Sequence, residues 1–246
     1  MLSIHKGDSM RPYIILNDIP SNTINGLLIS TLPPISKPKV RVELEEIDGR
    51  DGDIATVLGY SAYDKPFNIG LYGDYTVDDI IKYFTSSGKV IFSNEPDKYY
   101  NYAIYDQIDY EKLVNFKTAT VKMHVQPFKH SAEEVEKTFK LSGTNNIINI
   151  RNNGNIYSKP KLTITGTGAV NIYIGNMQIL QVNFTQAGST IIIDTEAMNA
   201  YDTNGDYANR KVVGNYDNLR LNPALNSITI EGNATQVKLD NYSRWI

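Results

Sequence analysis

The chain has 246 residues, which at about 150 residues per domain predicts two domains of modest size. Its 41% hydrophobic and 21% charged residues are typical of globular proteins, while the absence of cysteine excludes disulfides, thiolate metal sites and a thiol nucleophile. The net charge of −3 comes from residues 1–130, which contain 14 Lys and Arg against 17 Asp and Glu. Residues 131–246 contain ten Lys and Arg and ten Asp and Glu, so their charges balance. Neither half therefore offers the basic surface that specific nucleic-acid binding requires.

The beginning of the chain lacks the pattern of a secretory signal. Residues 1–9 contain Lys6, but no apolar run of the required length follows. The most apolar window, residues 24–32, is interrupted by Asn25, Gly26 and Ser30 and is far shorter than the roughly 20 residues that cross a bilayer. We therefore expect an aqueous, reducing environment and no membrane partner.

The first half is predicted to be mainly β. Its strand candidates are short apolar runs or alternating apolar and polar residues, bounded by turn residues. The longest alternating run is ended by Pro127, which cannot donate a hydrogen bond within a sheet. The predicted strands are residues 13–16, 40–45, 89–93, 99–105 and 117–126.

Residues 26–38 form an apolar segment that also contains three prolines. An extended segment of this kind usually covers a sheet edge, either its own or that of a neighbouring molecule. The candidate contact residues in this segment are Leu27, Leu28 and Ile29.

Residues 48–53 combine two glycines with three aspartates in a short run, which predicts an exposed loop. The run does not have the spacing of a calcium-binding EF-hand loop, so a tight turn is the simpler interpretation. We select it as a candidate loop at a subunit boundary, with the residues Asp48, Gly49, Arg50, Asp51, Gly52 and Asp53.

One helix is predicted in this half, beginning after Thr76. Thr76 is a candidate N-cap, and Asp78 and Asp79 lie in the electropositive first turn. An apolar stripe follows at helical spacing, and Gly88 stands where a helix commonly stops. The stripe consists of Val77, Ile80, Ile81 and Phe84.

The run of tyrosines at residues 99–105 populates both faces of one predicted strand. Tyrosine offers a large contact area with a polar tip, which suits protein–protein surfaces. A core face with chance exposure of the rest is the alternative. The candidate interface residues of this run are Tyr99, Tyr100 and Tyr102.

The second half is predicted to be an antiparallel β-sandwich. Charge thins after residues 131–140, and short strands recur at regular spacing between Gly- and Asn-containing turns. We therefore predict domains at residues 1–130 and 131–246. The predicted strands are residues 147–150, 161–165, 169–174, 178–184, 190–194, 227–231 and 236–239.

The residues that catalysis requires are scarce. His124 and His130 flank a strand end, and Glu43 and Glu45 share one strand face, but neither pair forms a recognisable motif. No Gly-x-Ser-x-Gly sequence occurs. We predict that the protein is not an enzyme and uses no metal, cofactor or small-molecule substrate.

A series of motifs in a fixed order resembles the distal tail proteins of siphovirus-type phages and related prophages. The likeness covers roughly residues 40–246 and depends on order and spacing. The motifs are Ile-Asp-Gly-Arg-Asp-Gly at 47–52, Gly-Lys-Val-Ile-Phe-Ser-Asn-Glu-Pro-Asp-Lys-Tyr-Tyr at 88–100, Gln-Pro-Phe-Lys at 126–129, Asn-Gly-Asn-Ile-Tyr-Ser-Lys-Pro at 153–160, Ile-Thr-Gly-Thr-Gly at 164–168, Thr-Ile-Ile-Ile-Asp-Thr-Glu at 190–196, Leu-Asn-Ser-Ile-Thr-Ile-Glu-Gly at 225–232 and Ser-Arg-Trp at 243–245.

This resemblance implies a mainly β protein with a tail-tube-like N-terminal β domain carrying one helix and a galectin-like C-terminal sandwich. It implies a hexameric ring at the virion tail tip, made in the cytoplasm of a bacterial host, through which DNA passes without specific binding. Expected partners are the tail-tube protein, a tail-associated hub protein and receptor-binding baseplate proteins. It implies no catalytic residue.

A carbohydrate-binding adhesion module built on the C-terminal sandwich is the alternative function. Galectin-type sites use a Trp platform together with His, Asn, Arg and Glu. Here the single tryptophan, Trp245, lies next to the last residue, and residues 131–246 contain no histidine. A shared fold does not by itself confer sugar binding.

Overall fold

The computed structural model describes residues 11–84 and 86–246. The expectation for residues 1–9 therefore lies outside the described residues. The chain divides into two compact units. One unit contains the residues up to Ala132 together with Ile246, and the other contains Glu133–Trp245. The mainly β fold class predicted from the sequence is confirmed.

The first unit is built on an antiparallel sheet with a separate two-stranded hairpin. Seven strands of the sheet lie in the order β2-β1-β7-β8-β9-β6-β3, and β4 pairs with β5 outside it. The strands are β1 (Ile14–Leu16), β2 (Ile19–Pro20), β3 (Leu27–Ile29), β4 (Val40–Glu46), β5 (Asp53–Tyr60), β6 (Tyr63–Leu71), β7 (Ser87–Phe92), β8 (Lys98–Ala103) and β9 (Thr118–Ser131).

The predicted helix is confirmed as α1 (Val77–Tyr83). Its buried residues include Ile80, which is fully buried, whereas Ile81 is 44% exposed, so the apolar stripe is narrower than predicted. The helix also ends earlier than predicted, because Phe84 leaves the helical conformation and forms the C-cap ahead of Gly88.

A second helix, α2 (Tyr110–Phe116), was not predicted from the sequence. Asp109 caps it by accepting a hydrogen bond from the Lys112 amide at 2.7 Å, and Lys117 ends it in the left-handed conformation. Leu113 is its one buried residue, so the helix lacks the repeating apolar stripe that identifies helices in a sequence.

The prediction that Pro127 ends the long strand is wrong, because β9 continues through it to Ser131. Its pairing with β6 stops at Val125, so beyond that point one edge of β9 has no β6 partner. The pairing with β8 shifts register between Tyr100 and Tyr102. A bulge of this kind accommodates a proline without losing a ladder hydrogen bond.

The second unit contains three long strands that pass through both halves of one bent sheet. One half has the order β10-β16-β12-β13-β14, while β11 and β15 pair with the other halves of β16 and β13. The strands are β10 (Lys137–Lys140), β11 (Asn145–Asn152), β12 (Lys161–Ile174), β13 (Met177–Asp194), β14 (Asn199–Tyr201), β15 (Val212–Gly214), β16 (Ala224–Asp240) and β17 (Arg244–Trp245).

The bend lies where glycines interrupt these strands. The pairing of β12 with β13 shifts register between Gly166 and Gly168, and β12 with β16 shifts nearby. At Gly232, φ is +112° and an added Cβ would lie 2.4 Å from the Ala169 carbonyl oxygen, so only glycine fits there. Both halves contribute to one hydrophobic core. The sequence predicted two short strands in place of each long one because the glycines at the bend interrupt the strand pattern.

The last segment of this unit packs tightly on the connection before β12. Arg244 is 1% exposed; its Nε donates to the Tyr157 carbonyl at 2.8 Å and its Nη1 pairs with Glu196 at 2.7 Å. A Cβ added to Gly154 would lie 1.8 Å from the Arg244 carbonyl oxygen. The two motifs that carry the sequence resemblance here, at 153–160 and 243–245, are therefore in direct contact.

Candidate functional site

The hairpin of β4 and β5 is the most exposed regular structure in the first unit. Its register pairs Val42 with Val57 and Leu44 with Ala55, alternating with Glu43 opposite Thr56 and Glu45 opposite Ile54. Because successive pairs in a β-ribbon point to opposite faces, one face of the hairpin is apolar up to the Glu46–Asp53 pair beside the tip, and the other carries Glu43 and Glu45. The strand Asp53–Tyr60 was not predicted, so the sequence identified only one arm of this ribbon.

The apolar face of the hairpin has no cover within the described parts of the chain. Val42, Leu44 and Val57 are 47%, 61% and 65% exposed. Leu58, the extra residue of a bulge in β5, is also exposed. An isolated two-stranded ribbon is marginally stable in water, and a contiguous exposed apolar surface marks a site of association. The hairpin therefore has the properties of a contact surface for another protein molecule.

The tip of the hairpin is the loop at residues 48–53 that the sequence predicted, and all of its residues are exposed. Gly49 and Gly52 have φ values of +81° and +78°, which only glycine adopts readily. Across residues 40–60 the hairpin carries six acidic residues against Arg41 and Arg50. The tip is thus placed to meet a partner, and its role at a subunit boundary stays a prediction.

The prediction that the apolar segment offers Leu27 and Ile29 to a partner is wrong. Both belong to β3 and are 4% and 2% exposed, because they pack into the core of their own unit. Leu28 points to the other face and is half-buried. β3 pairs with β6 and forms an edge of the main sheet, so the segment covers an edge of its own sheet.

The interpretation of the tyrosines as surface residues is also wrong. β8 lies between β7 and β9, and Tyr100 and Tyr102 are 0% and 4% exposed in the core. Tyr99 is on the other face but is covered by the ring of His130, with the ring centres 5.2 Å apart. The sequence pattern identified the strand but not its central position in the sheet, which decides burial.

The nearest approach to an acid–base site is a shallow surface depression. The Nδ1 atom of His124 lies 2.8 Å from Asp64, whose pKa is lowered mainly by that hydrogen bond, and Lys122 pairs with Asp64 and Asp106. All of these side chains are solvent-accessible, so Asp64, Asp106 and Lys122 form a surface ion-pair network with His124 beside it. No group of three or more metal-ligating side chains occurs within residues 11–84 and 86–246.

No helix in the described ranges is long and apolar enough to cross a membrane.

The glutamates considered as a carboxylate pair, Glu43 and Glu45, lie on the polar face of the hairpin, where both are exposed. The Asp202–Asp206 run is a tight turn in which the Asp202 carboxylate accepts the amides of Asn204 and Asp206 at 2.9 and 3.0 Å.

No family model and no curated protein matches this sequence. Among solved structures, the chain is similar to the SPP1 Dit (gp 19.1) protein, with a TM-score of 0.64 and 14% sequence identity over 96% of this chain and 99% of that chain. That protein is described as a paradigm of the hub adsorption apparatus in phages that infect Gram-positive bacteria. A second similar structure is the phage p2 baseplate in its activated conformation with Sr, with a TM-score of 0.43 and 10% identity over 93% of this chain and 97% of that chain. The resemblance to distal tail proteins is thus confirmed at the level of the fold: along nearly its whole length, the chain has the fold of the SPP1 Dit protein.

Proposed function

We propose that this protein is a structural subunit of a phage tail tip or baseplate and not an enzyme. In this role it forms a hexameric ring that joins the tail tube to the tip hub, carries host-recognition components and surrounds a channel for DNA. Two observations support the proposal: the Dit fold over nearly the whole chain, and the exposed amphipathic hairpin. The hairpin is the observation that carries it.

The hairpin supports assembly because its apolar face lacks a partner within the described chain. Two ribbon edges, one on β4 and one on β5, have no strand beside them in the described residues. A head-to-tail contact that uses one surface on each side of a subunit closes into a ring when the rotation between neighbours permits. Val42, Leu44 and Val57 then become buried against the next copy, which stabilises both the ribbon and the ring.

The charge distribution supports a conduit that does not retain DNA. At −3 per chain, six copies carry −18, and the acidic excess of the hairpin is larger than that of the whole chain. An acidic inner surface repels phosphate and lets a nucleic acid pass. We assign the glutamate-bearing face of the hairpin to the channel side of the ring.

The remaining assignments belong to the same proposal. Residues 1–130 form the ring and face the tail-tube protein, and residues 131–246 form a galectin-like lateral domain. The tail-associated hub protein and receptor-binding proteins are the further partners. The location is the virion tail tip, after synthesis in the cytoplasm of a bacterial host.

Light scattering of the purified chain across a concentration series tests the proposal. We expect a species of about six times 27.6 kDa at high concentration, and a ring with a central hole in negative-stain electron microscopy. Val57→Glu on the apolar face is expected to shift the chain to monomer, whereas the matched substitution Thr56→Glu on the polar face is not. A chain that stays monomeric at all concentrations and is retained on a glycan array would instead support the carbohydrate-binding alternative.

A further inference from the structure

The hairpin is joined to the main sheet through a proline-rich connection, residues 32–39, which we call the strap. The strap follows β3 and leads directly into β4, and it adopts no helix or strand. At its far end the Lys39 carbonyl accepts the Ser61 amide at 2.8 Å, which closes the base of the hairpin. The position of the hairpin therefore depends on what holds the strap.

Side chains of the first unit hold the strap through its carbonyl oxygens. The Lys65 ammonium donates to the Pro34 carbonyl at 2.9 Å, and the Tyr63 hydroxyl donates to the Ser36 carbonyl at 3.3 Å. The Asn94 amide donates to the Pro33 carbonyl at 3.1 Å. Because prolines lack an amide hydrogen, the strap depends on these donors instead of on a backbone ladder.

Lys65 differs from the other donors because it is charged and only 2% exposed. Its ammonium lies 4.8 Å from the centre of the Tyr100 ring and 5.6 Å from that of Phe92. Burial lowers the pKa of Lys65 to about 8. The hydrogen bond to Pro34 is the one that its ammonium makes among the described residues, so the buried charge and the strap stabilise each other.

Lys129 provides a natural comparison in the same cluster. It is 6% exposed and lies 6.0 Å from the Tyr100 ring, but it pairs with Glu95 at 2.9 Å and makes no hydrogen bond to the described residues of the strap. Glu95 also accepts the Tyr100 hydroxyl at 2.6 Å. The two lysines therefore share one buried environment and differ in their partner.

We propose that Lys65 is a positioning residue for assembly: by fixing the strap, its side chain sets where the hairpin is presented to a neighbouring copy. The link to assembly rests on the proposed function, whereas the anchoring of the strap does not. Without the Lys65 side chain, the strap is held only by its weaker neutral donors, and one of the two connections between the hairpin and the main sheet loses its anchor. The second connection, after β5, stays in place because Tyr60 packs edge-on against Phe128 with ring centres 5.3 Å apart.

Spin labelling of the strap tests this inference directly. The chain contains no cysteine, so Ile35→Cys, at a side chain that is 57% exposed, gives a single labelling site, and Glu111→Cys on α2 gives a reference site. In the Lys65→Met background we expect the label at position 35 to become mobile, with a correlation time at least about threefold shorter, and the label at 111 to be unchanged. In the Lys129→Met background we expect both labels to stay as in the unsubstituted chain.

The remaining results of this experiment decide whether Lys65 anchors the strap. A strap label that stays immobile with Lys65→Met overturns it, and so does equal mobility with Lys65→Met and Lys129→Met, since that reflects general loosening. If Lys65→Met does not fold, Tyr63→Phe removes a neutral strap donor, keeps the aromatic side chain and leaves Lys65 in place. A label that stays immobile in this variant supports the inference, and a mobile label overturns it, because the neutral donor would then be the main anchor. A strap freed by Lys65→Met in a chain that never oligomerises supports the anchor and refutes the proposed ring.

Discussion

Leu44→Ala separates the contribution of the hairpin to assembly from its contribution to the fold. Leu44 is 61% exposed in the single chain, so little of its surface is lost to the fold's own packing. Completing the burial of a leucine in this state contributes about 1–2 kcal/mol, and truncation to alanine removes about 1 kcal/mol at each subunit contact. We therefore expect the dissociation constant of each contact to rise about fivefold.

Light scattering over a dilution series measures this shift, and thermal unfolding of the monomer at low concentration measures the fold. The midpoint of association is expected to move to higher concentration while the unfolding temperature of the monomer stays unchanged. Glu43→Ala, on the opposite face of the same strand, is the matched control and should leave the midpoint in place. An unmoved midpoint would mean that the apolar face does not meet a second copy, and a loss of monomer stability would mean that Leu44 supports the fold of its own chain. Either result would refute the reasoning.

Three further predictions concern the fold. Gly154→Ala is expected to lower the free energy of unfolding by more than about 3 kcal/mol, measured in urea, because the new Cβ meets the Arg244 backbone. Tyr83→Phe should cost about 1–2 kcal/mol, because the Tyr83 hydroxyl donates to the carbonyls of Ile14 and Ile19 at 3.2 and 3.1 Å. Since the folded pKa of Lys65, about 8, lies below its ordinary value of 10.5, the unfolded chain holds the proton to higher pH, and this group should add stability as pH rises from 8 toward 10.5.

Each of these three predictions has a result that would contradict it. An unchanged urea midpoint for Gly154→Ala would mean that the contact between residues 153–160 and the last segment is dispensable. A neutral Tyr83→Phe would mean that water satisfies the Ile14 and Ile19 carbonyls. Stability that rises with pH as steeply in Lys65→Met as in the unsubstituted chain would assign the effect to another group.

The sequence predicted the elements whose pattern is local. The capped helix after Thr76 and the regular strands of the second half reflect periodic burial, which the residue pattern of a sequence shows directly. The alternation of residues 40–45 predicted β4 through its two unlike faces, although both faces are exposed in the chain. The loop at 48–53 was predicted because glycine and aspartate specify backbone conformation locally.

The errors concern properties that depend on the position of a strand in its sheet. Nothing within the run containing Tyr100 and Tyr102 indicates that β8 is flanked by a strand on each side, which makes them core residues. β3 contributes Leu27 and Ile29 to the core by pairing with β6, a contact between distant parts of the sequence. The hairpin's second arm was missed because its residues, Asp-Ile-Ala-Thr-Val-Leu-Gly-Tyr at 53–60, do not alternate between apolar and polar side chains.

The three long strands of the second unit, β12, β13 and β16, cross its central bend without a break in the chain. The two halves of that unit consequently have no hinge between them and should melt together as one cooperative block. Insertions have room at the turns, such as the one at Gly175 that joins β12 to β13, which faces open space, although its φ of +60° favours glycine at that position itself. Extra modules spliced into such turns would lengthen the reach of the unit while leaving its interior untouched.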